Sequence, residues 1–482
     1  IAMRFARCHH RTHTVLAVLL AGLLAGGLAP WAADAQPDTT RWTPELTMQY
    51  DQIPDTEISP DGQHVAYVVR EAVMDGTTSE FRQHVHVAAV DGSFDVQYTR
   101  GKHSNFSPKW SPSGNRLAFL STRGDGPPQV HVMRLRGGEA YAVTSAQTGV
   151  QAFQWGPDGE WTAYTMTDPK SKAERQREKE KRDVNVVNKE FRYAHLYTTE
   201  VKPGGDTTRS VQRLTGGTFH VTSFDWAPNG DTIAFAHKPN PRINSSMELD
   251  LSTVPTDSGA TEVLVERPGM DMNPHYSPGG ERIAFESMGG TEAWESLSDI
   301  WTVPAEGGEP SALAQTPDRN VGGYGPGIVG WTAGGESVLV LEHAKTSTHL
   351  YEVPANGPSV SQVTSEEGVY GAPSHSRTRD RLAFVCENSE SPPEVYVSGQ
   401  EDFSRRKVTA VNSGKPRPEM GRTELLTWTA PDGTRVEGLL TYPVGYEGGR
   451  VPLILSVHGG PQSAHNREFT GGMTIPRIQV SA

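Results

Sequence analysis

One turn recurs along this chain, and it constrains the fold more than any other feature. Ile58-Ser59-Pro60-Asp61-Gly62 precedes the apolar run His64-Val65-Ala66-Tyr67-Val68. Trp110-Ser111-Pro112-Ser113-Gly114 precedes Arg116-Leu117-Ala118-Phe119-Leu120, and Trp155-Gly156-Pro157-Asp158-Gly159 precedes Trp161-Thr162-Ala163-Tyr164. Further copies begin at Trp226, Tyr276 and Trp331, and a degenerate seventh, His375-Ser376-Arg377-Thr378-Arg379-Asp380, precedes Arg381-Leu382-Ala383-Phe384-Val385. In the first five copies proline presets φ at the first turn position (Ala333 stands there in the sixth), Asp, Asn, Ser or Gly follows, and glycine takes the positive φ that closes a hairpin. The flanking residues alternate as strands do. Another strand follows most copies, such as Asp299-Ile300-Trp301-Thr302-Val303, and ends in a glycine turn such as Gly307-Gly308. A repeat of about 45–55 residues, each a small antiparallel sheet, predicts a β-propeller, and seven copies predict seven blades. Unrelated hairpins in a β-sandwich would not keep seven copies in register. The repeat speaks to fold, not to function.

Before the repeats, Arg4, Arg7 and Arg11 lead into an uncharged apolar stretch, Val15 to Leu28, and Ala33-Asp34-Ala35 fits a small-x-small cleavage site. Residues 1–35 therefore read as a secretory signal. The stretch is short for a membrane span, so no membrane anchor is expected once the signal is cleaved. The expected location is secreted or periplasmic. Net charge is -13 for the 482 residues. The signal carries a net +2, from three Arg and one Asp, which leaves -15 for the remainder. Such a surface favours solubility and disfavours nucleic acid. Cys8 falls in the signal, so Cys386 has no partner and is expected to be a small buried hydrophobe.

Lys170 to Asp183 interrupts the repeat spacing with charges of both signs and no apolar stripe. That pattern fits a solvated helix or a mobile insertion laced by i,i+4 pairs. The alternative is a blade insertion that reaches a substrate cavity, with Glu190 and Arg192 just after it as candidate substrate contacts. No His or Cys spacing suits a metal, and no glycine-rich phosphate loop appears, so neither metal nor cofactor is expected.

The repeats end in the Pro/Gly linker Asn412-Ser413-Gly414-Lys415-Pro416-Arg417-Pro418. Three strands are predicted after it: Glu424–Trp428, Val436–Pro443 beyond the turn Pro431-Asp432-Gly433, and the continuous apolar run Leu453–Val457. The last reads as a strand buried on both faces of an α/β sheet. It delivers His458-Gly459-Gly460-Pro461.

Signal, Ser-Pro-Asp-Gly repeats, the Asp-Gly strand pair and His-Gly-Gly-Pro together resemble the prolyl oligopeptidase (S9) family of serine peptidases. The similarity is greatest to its acylaminoacyl-peptidase and dipeptidyl-peptidase branch. It extends over the mature chain to about Asn466. The resemblance implies a mostly β chain: a seven-bladed propeller, 36–415, followed by the first strands of an incomplete α/β-hydrolase domain, 416–482. It implies a Ser-His-Asp triad that cleaves short peptides admitted by the propeller. In such hydrolases the loop after the third strand gives a backbone N–H to the oxyanion hole. Here the donor would be Gly459 or Gly460, since Pro461 has no N–H. The nucleophile should sit in a Gly-x-Ser-x-Gly elbow followed by the acid and the histidine. The 482 residues contain no Gly-x-Ser-x-Gly. No catalytic Ser, Asp or His is therefore assigned, and His458, within the oxyanion loop, is not the triad base. The expectation is a C-terminally truncated member of the family, inactive as it stands. The alternative is a non-catalytic periplasmic propeller that binds protein.

Overall fold

The structure is a computed structural model that describes residues 41–184, 188–202, 210–294, 296–319, 327–459 and 463–471. The predicted signal, 1–35, lies outside them. Among the described residues no helix is long and apolar enough to cross a membrane.

Each repeat folds into one four-stranded antiparallel sheet whose strands lie in sequence order, and there are seven such sheets. They span 56–97, 105–142, 153–213, 220–265, 271–312, 328–362 and 369–407, here blades 1 to 7. The first strands are β1 (Thr56–Ile58), β2 (Asn105–Trp110), β3 (Phe153–Trp155), β4 (His220–Trp226), β5 (Asp271–Tyr276), β6 (Ile328–Trp331) and β7 (Val369–His375). First strands of successive blades touch one another around the ring, so they surround its axis. The molecule is the predicted seven-bladed propeller.

The recurring turn joins each innermost strand to the second, and it does two things. Its glycine supplies a positive φ, 72° at Gly159. It also leaves room for the proline of the preceding turn: a Cβ on Gly159 would lie 3.2 Å from the Pro112 ring, and one on Gly114 would lie 3.5 Å from Pro60. Each turn thus packs against the next. Tryptophans tie the same seams, because the indole N–H of Trp110, Trp155 and Trp331 donates to the carbonyl of Glu57, Lys109 and His275 in the preceding blade, at 2.9, 3.0 and 2.9 Å. Between the blades sits the apolar core, with Phe119, Phe235, Phe285 and Phe384 at one repeat position and all fully buried.

A second repeat signal, not read in the sequence, lies at the outer strand. Thr99, Thr144, Thr215 and Thr409 each accept an N–H of the third strand, from Val85, Val130, Leu196 and Val395 at 2.8–3.0 Å. An apolar residue precedes each threonine, so the pattern is visible once the repeats are aligned.

No strand is shared between blades 1 and 7. The ring closes through a backbone bond between turns, Arg377 N–H to the Pro60 carbonyl at 3.1 Å, and through side chains. Thr56 Oγ1 donates to the Ala372 carbonyl at 2.6 Å, Ser374 Oγ accepts the Ile58 N–H at 2.9 Å, and Arg381 donates to the Gly62 carbonyl at 3.1 Å. Ile58, Val65 and Tyr67 pack there against Val385, Val395 and Val397. Cys386 is buried nearby, with the Arg405 guanidinium 3.1 Å from its sulfur.

The chain enters and leaves on the face opposite the turns. Helix α1 (Pro44–Thr47) starts at the N-cap Thr43, with proline at its first position. Lys415 in the linker pairs with Asp51 at 2.6 Å, so the end of the propeller is tied to its beginning. The charged insertion does form a helix, α2 (Lys172–Lys179), closed by a capping box between Ser171 and Glu174 and burying no residue.

Beyond the linker, β8 (Thr423–Thr429) and β9 (Arg435–Thr441) form the predicted hairpin. The third predicted strand does not form. Residues 453–457 are irregular, and Leu453, Ile454, Leu455 and Val457 are 64–81% exposed. A strand apolar on both faces needs neighbours on both edges and cover on both faces. No described residue pairs with this one. Residues 463–471, by contrast, dock on the propeller. Phe469 is 1% exposed among Trp42, Leu46 and Tyr50 of the α1 region, with its N–H donated to Glu387 at 2.9 Å.

Two predictions follow from this packing. Replacing Gly92, whose φ is 81° with nothing near a Cβ, by Ala should cost roughly 1 kcal/mol. Gly159→Ala should cost at least about twice that, because the Pro112 contact adds overpacking; equal losses in urea denaturation would refute the turn-to-turn contact. The second concerns Glu286, which is 1% exposed and accepts from the Ile328 N–H at 3.0 Å and the Asn273 amide at 2.8 Å. Burial pushes its carboxyl up from 4.5 to about 7. The native state therefore holds this proton more tightly than the unfolded chain does. The resulting stabilisation is complete below about 4.5 and is lost as pH rises through about 7. Glu286→Gln should gain on the parent by up to about 3 kcal/mol between pH 5 and pH 8. A melting-temperature difference that stays flat across that range would show that Glu286 ionises freely.

Candidate functional site

The residue just before the last one of each innermost strand occupies one register around the axis. These residues are Glu57, Lys109, Gln154, Asp225, His275, Gly330 and Ser374. Several of them bridge adjacent blades. Lys109 pairs with Glu57 at 2.9 Å, the Gln154 amide donates to the Phe224 carbonyl at 2.9 Å, and Asp225 accepts the Tyr276 N–H at 2.8 Å. The Lys109 side chain keeps 39% of its surface accessible although protein surrounds it, as expected on a channel wall rather than in a packed core.

Their electrostatics show that they face one another. The His275 imidazole is held near 4 by burial first, then by the charges of Arg379 and Lys109. Lys109 belongs to blade 2, His275 to blade 5 and Arg379 to blade 7, so these groups sense each other across the axis. Burial pushes Asp225 up to about 6, against the pull of the Tyr276 N–H and of Arg379. Glu57 raises the Lys109 ammonium above its usual value despite burial. Arg379 stands at the turn position that is glycine in the full copies, with φ 59°, and its guanidinium reaches the Trp331 carbonyl and His375 Nε2. His375 is pulled down to about 3 by burial and then by Arg379. Titratable groups from five blades therefore line one end of the channel, at the turn face. Sequence reasoning missed all of them, because each blade supplies a different residue type. Alignment of the repeats on the aromatic would have found them.

Bulges re-aim side chains just before this register. The pairing register slips in five innermost strands, β2 and β4 to β7. Ser107, Asn273 and Ala372 take positive φ at corresponding positions, 52°, 51° and 45°.

The predicted site residues lie toward the face opposite the turns. Each innermost strand runs from it to the turn, so the connections between second and third strands return to it. The blade 3 connection carries α2, Glu190 and Arg192. Glu190, φ 58°, is exposed and pairs with Arg177 of α2 at 2.8 Å, while Arg192 contributes positive charge near Glu174. The hairpin sits at the same face, where Lys345 of blade 6 meets Glu437 at 3.2 Å. A cavity of about 210 Å³ separates it from the propeller, lined by Glu367, Asn388, Glu390, Glu424, Leu425 and Arg467. His458 is exposed, with Nδ1 3.0 Å from the Gly459 carbonyl and its ring 5.8 Å from that of His465. Nothing approaches a Cβ position on Gly459 within 4 Å, so its backbone is open to a ligand. Gly460 and Pro461 lie outside the described residues. Among the described residues no hydrogen bond or ion pair joins Glu190 or Arg192 to this loop.

Comparison with known proteins extends these observations. No family model matches the chain. It is similar to an uncharacterized peptidase, YuxL, of Bacillus subtilis (strain 168), 25% identical over 444 residues, covering 86% of this chain and 66% of that protein. It is also similar to dipeptidyl-peptidase 5 of Porphyromonas gingivalis, 23% identical over 449 residues, covering 87% of this chain and 64% of that protein. Among solved structures, the acylaminoacyl peptidase of Pyrococcus horikoshii superposes with a TM-score of 0.67 at 16% identity, over 89% of this chain and 64% of that one. The chain thus spans just under two thirds of the length of the relatives it matches. Propeller, hairpin and glycine loop occur in one order, and the similarity to peptidases runs through nearly all of the chain, which supports the expected likeness to the prolyl oligopeptidase (S9) family.

Proposed function

We propose that these residues are the propeller and the opening of the hydrolase domain of a secreted serine peptidase that cleaves short peptides. The observation that carries the reading is the juxtaposition of hairpin, glycine loop and propeller face, together with similarity to peptidases over 86% and 87% of the chain. In this reading the propeller restricts what reaches the site. Charged groups converge on the channel at the turn face, and peptides meet the opposite face, where α2, Glu190 and the glycine loop stand. The Glu190 carboxylate would hold the ammonium of a peptide N-terminus, with Arg192 beside it for a carbonyl or carboxylate.

The chemistry assigned to this chain is half of an oxyanion hole. A backbone N–H of Gly459 or Gly460 would donate to the oxygen that gains charge as the carbonyl becomes tetrahedral. One such donor is worth about 3–4 kcal/mol to the transition state. The other N–H belongs to the residue after the nucleophile. A nucleophile and its general base must come from an elbow and a histidine that the sequence does not contain, so these residues alone are assigned no hydrolytic activity.

The test compares this chain with the product of the same reading frame extended past codon 482. The extended product is expected to react with a fluorophosphonate probe and to cleave chromogenic dipeptide and acylated amino-acid substrates. The 482-residue chain is expected to do neither. Labelling or turnover by the shorter chain would overturn the assignment of inactivity, and an extended product that lacks both would overturn the peptidase reading.

A further inference from the structure

On the turn face, the first residue of a blade's second strand stands beside the aromatic of the next blade. Arg116 lies 5.0 Å over the Trp155 ring and donates to the Gly159 carbonyl at 2.6 Å. Arg282 lies 6.0 Å over the Trp331 ring and donates to Thr302 Oγ1 at 2.8 Å. In these two seams a guanidinium covers an indole.

The seam between blades 3 and 4 differs. The corresponding pair is Trp161 and Trp226, so there is an indole to cover and, among the described residues, no guanidinium over it. A cavity of about 420 Å³ opens there, lined by both tryptophans with Asp158, Asp231, Asp257 and Gln212. Its size falls within the usual range for ligand pockets. Trp226 Nε1 is buried without a hydrogen-bond partner, whereas its counterparts in blades 2, 3 and 6 donate to a carbonyl of the preceding blade. The carbonyl at the equivalent register, that of Gln154, accepts Thr162 Oγ1 at 2.8 Å instead. The carboxylates are held in place: Asp158 accepts the Glu160 N–H at 2.8 Å, and Asp231 accepts the Asn229 amide at 3.1 Å. Among the described residues, the nearby cations Lys202 and Arg213 are paired elsewhere, with Glu200 and Asp168.

We propose that this cleft binds an arginine side chain presented by a peptide or protein, seated as Arg116 and Arg282 are seated in their own seams. Indole faces attract a planar cation, and carboxylates at the rim take its N–H groups in a fork geometry that an ammonium does not match. The cleft lies on the face away from the glycine loop, so it is a second site and not part of the first.

The probe is N-acetyl-arginine amide, with the neutral citrulline analogue as its control. The readout is the indole N–H resonance of Trp226 in tryptophan-labelled protein. Saturable binding is expected below about 10 mM, with the citrulline analogue and the Asp231→Asn/Asp257→Asn double variant each at least about tenfold weaker. Trp161→Arg places in this seam the residue that two other seams carry, so it should fold normally and abolish binding of the probe. The proposal is overturned if arginine amide fails to saturate the parent, if citrulline amide binds equally, or if Trp161→Arg with an unchanged circular dichroism spectrum binds as the parent does.

Discussion

The contact between one turn and the next is the interaction on which the rest of the molecule depends. Innermost strands of three to seven residues, such as Thr56–Ile58 and His220–Trp226, are too short to fix a ring by themselves. The proline of each of the first five turns packs against the glycine of the next, and in three seams a tryptophan N–H bond repeats that link one layer deeper. Glycine is required there by its φ, and at Gly159 by the Pro112 ring as well. Where the seventh copy lacks the motif, arginines replace it: Arg379 reaches back to blade 6 and Arg381 forward to blade 1. The seam without a shared strand is thus closed by polar bonds and a local apolar cluster.

That same geometry produces the charged end of the channel. Once the aromatic before each turn is fixed in a seam, the residue preceding it has nowhere to point but toward the axis. Charge placed there is partly dehydrated, which is why Asp225 is pushed up to about 6 and His275 down to about 4. Arg379 holds a backbone conformation that costs a non-glycine residue energy, and it does so where its guanidinium meets His375 and its charge reaches His275 and Asp225.

The fold was legible because its signal is local and repeated: Pro, Asp or Ser, and Gly at fixed spacing name a turn, and seven turns name the propeller. The hairpin after the linker was legible for the same reason, through Pro431-Asp432-Gly433. The charged insertion was readable as a helix from its i,i+4 pairs. The run Leu453–Val457 has the composition of a buried strand, yet composition states only what a segment would do if partners were supplied. The channel residues stayed hidden because their identities differ from blade to blade while their register does not. Of the proposed contacts, Glu190 is paired with Arg177, a pairing that no local pattern announces.

A propeller has two faces, and this one divides its chemistry between them. The face that receives α1, the linker and residues 463–471 is built from long-range pairings: Lys415 with Asp51, Phe469 with Trp42 and Tyr50, Lys345 with Glu437. It changes when the segments beyond the propeller change. The turn face is built from the repeat itself, so each seam there is a variant of one arrangement, and a seam that departs from it stands out. Arginine over tryptophan occurs in the seams led by Arg116 and Arg282, and tryptophan beside tryptophan in the seam led by Trp161. Repetition supplies an internal control that a single-copy fold lacks. The filled seams state what chemistry suits the position, and the open seam carries the same aromatic floor with carboxylates at its rim and no cation of its own among the described residues.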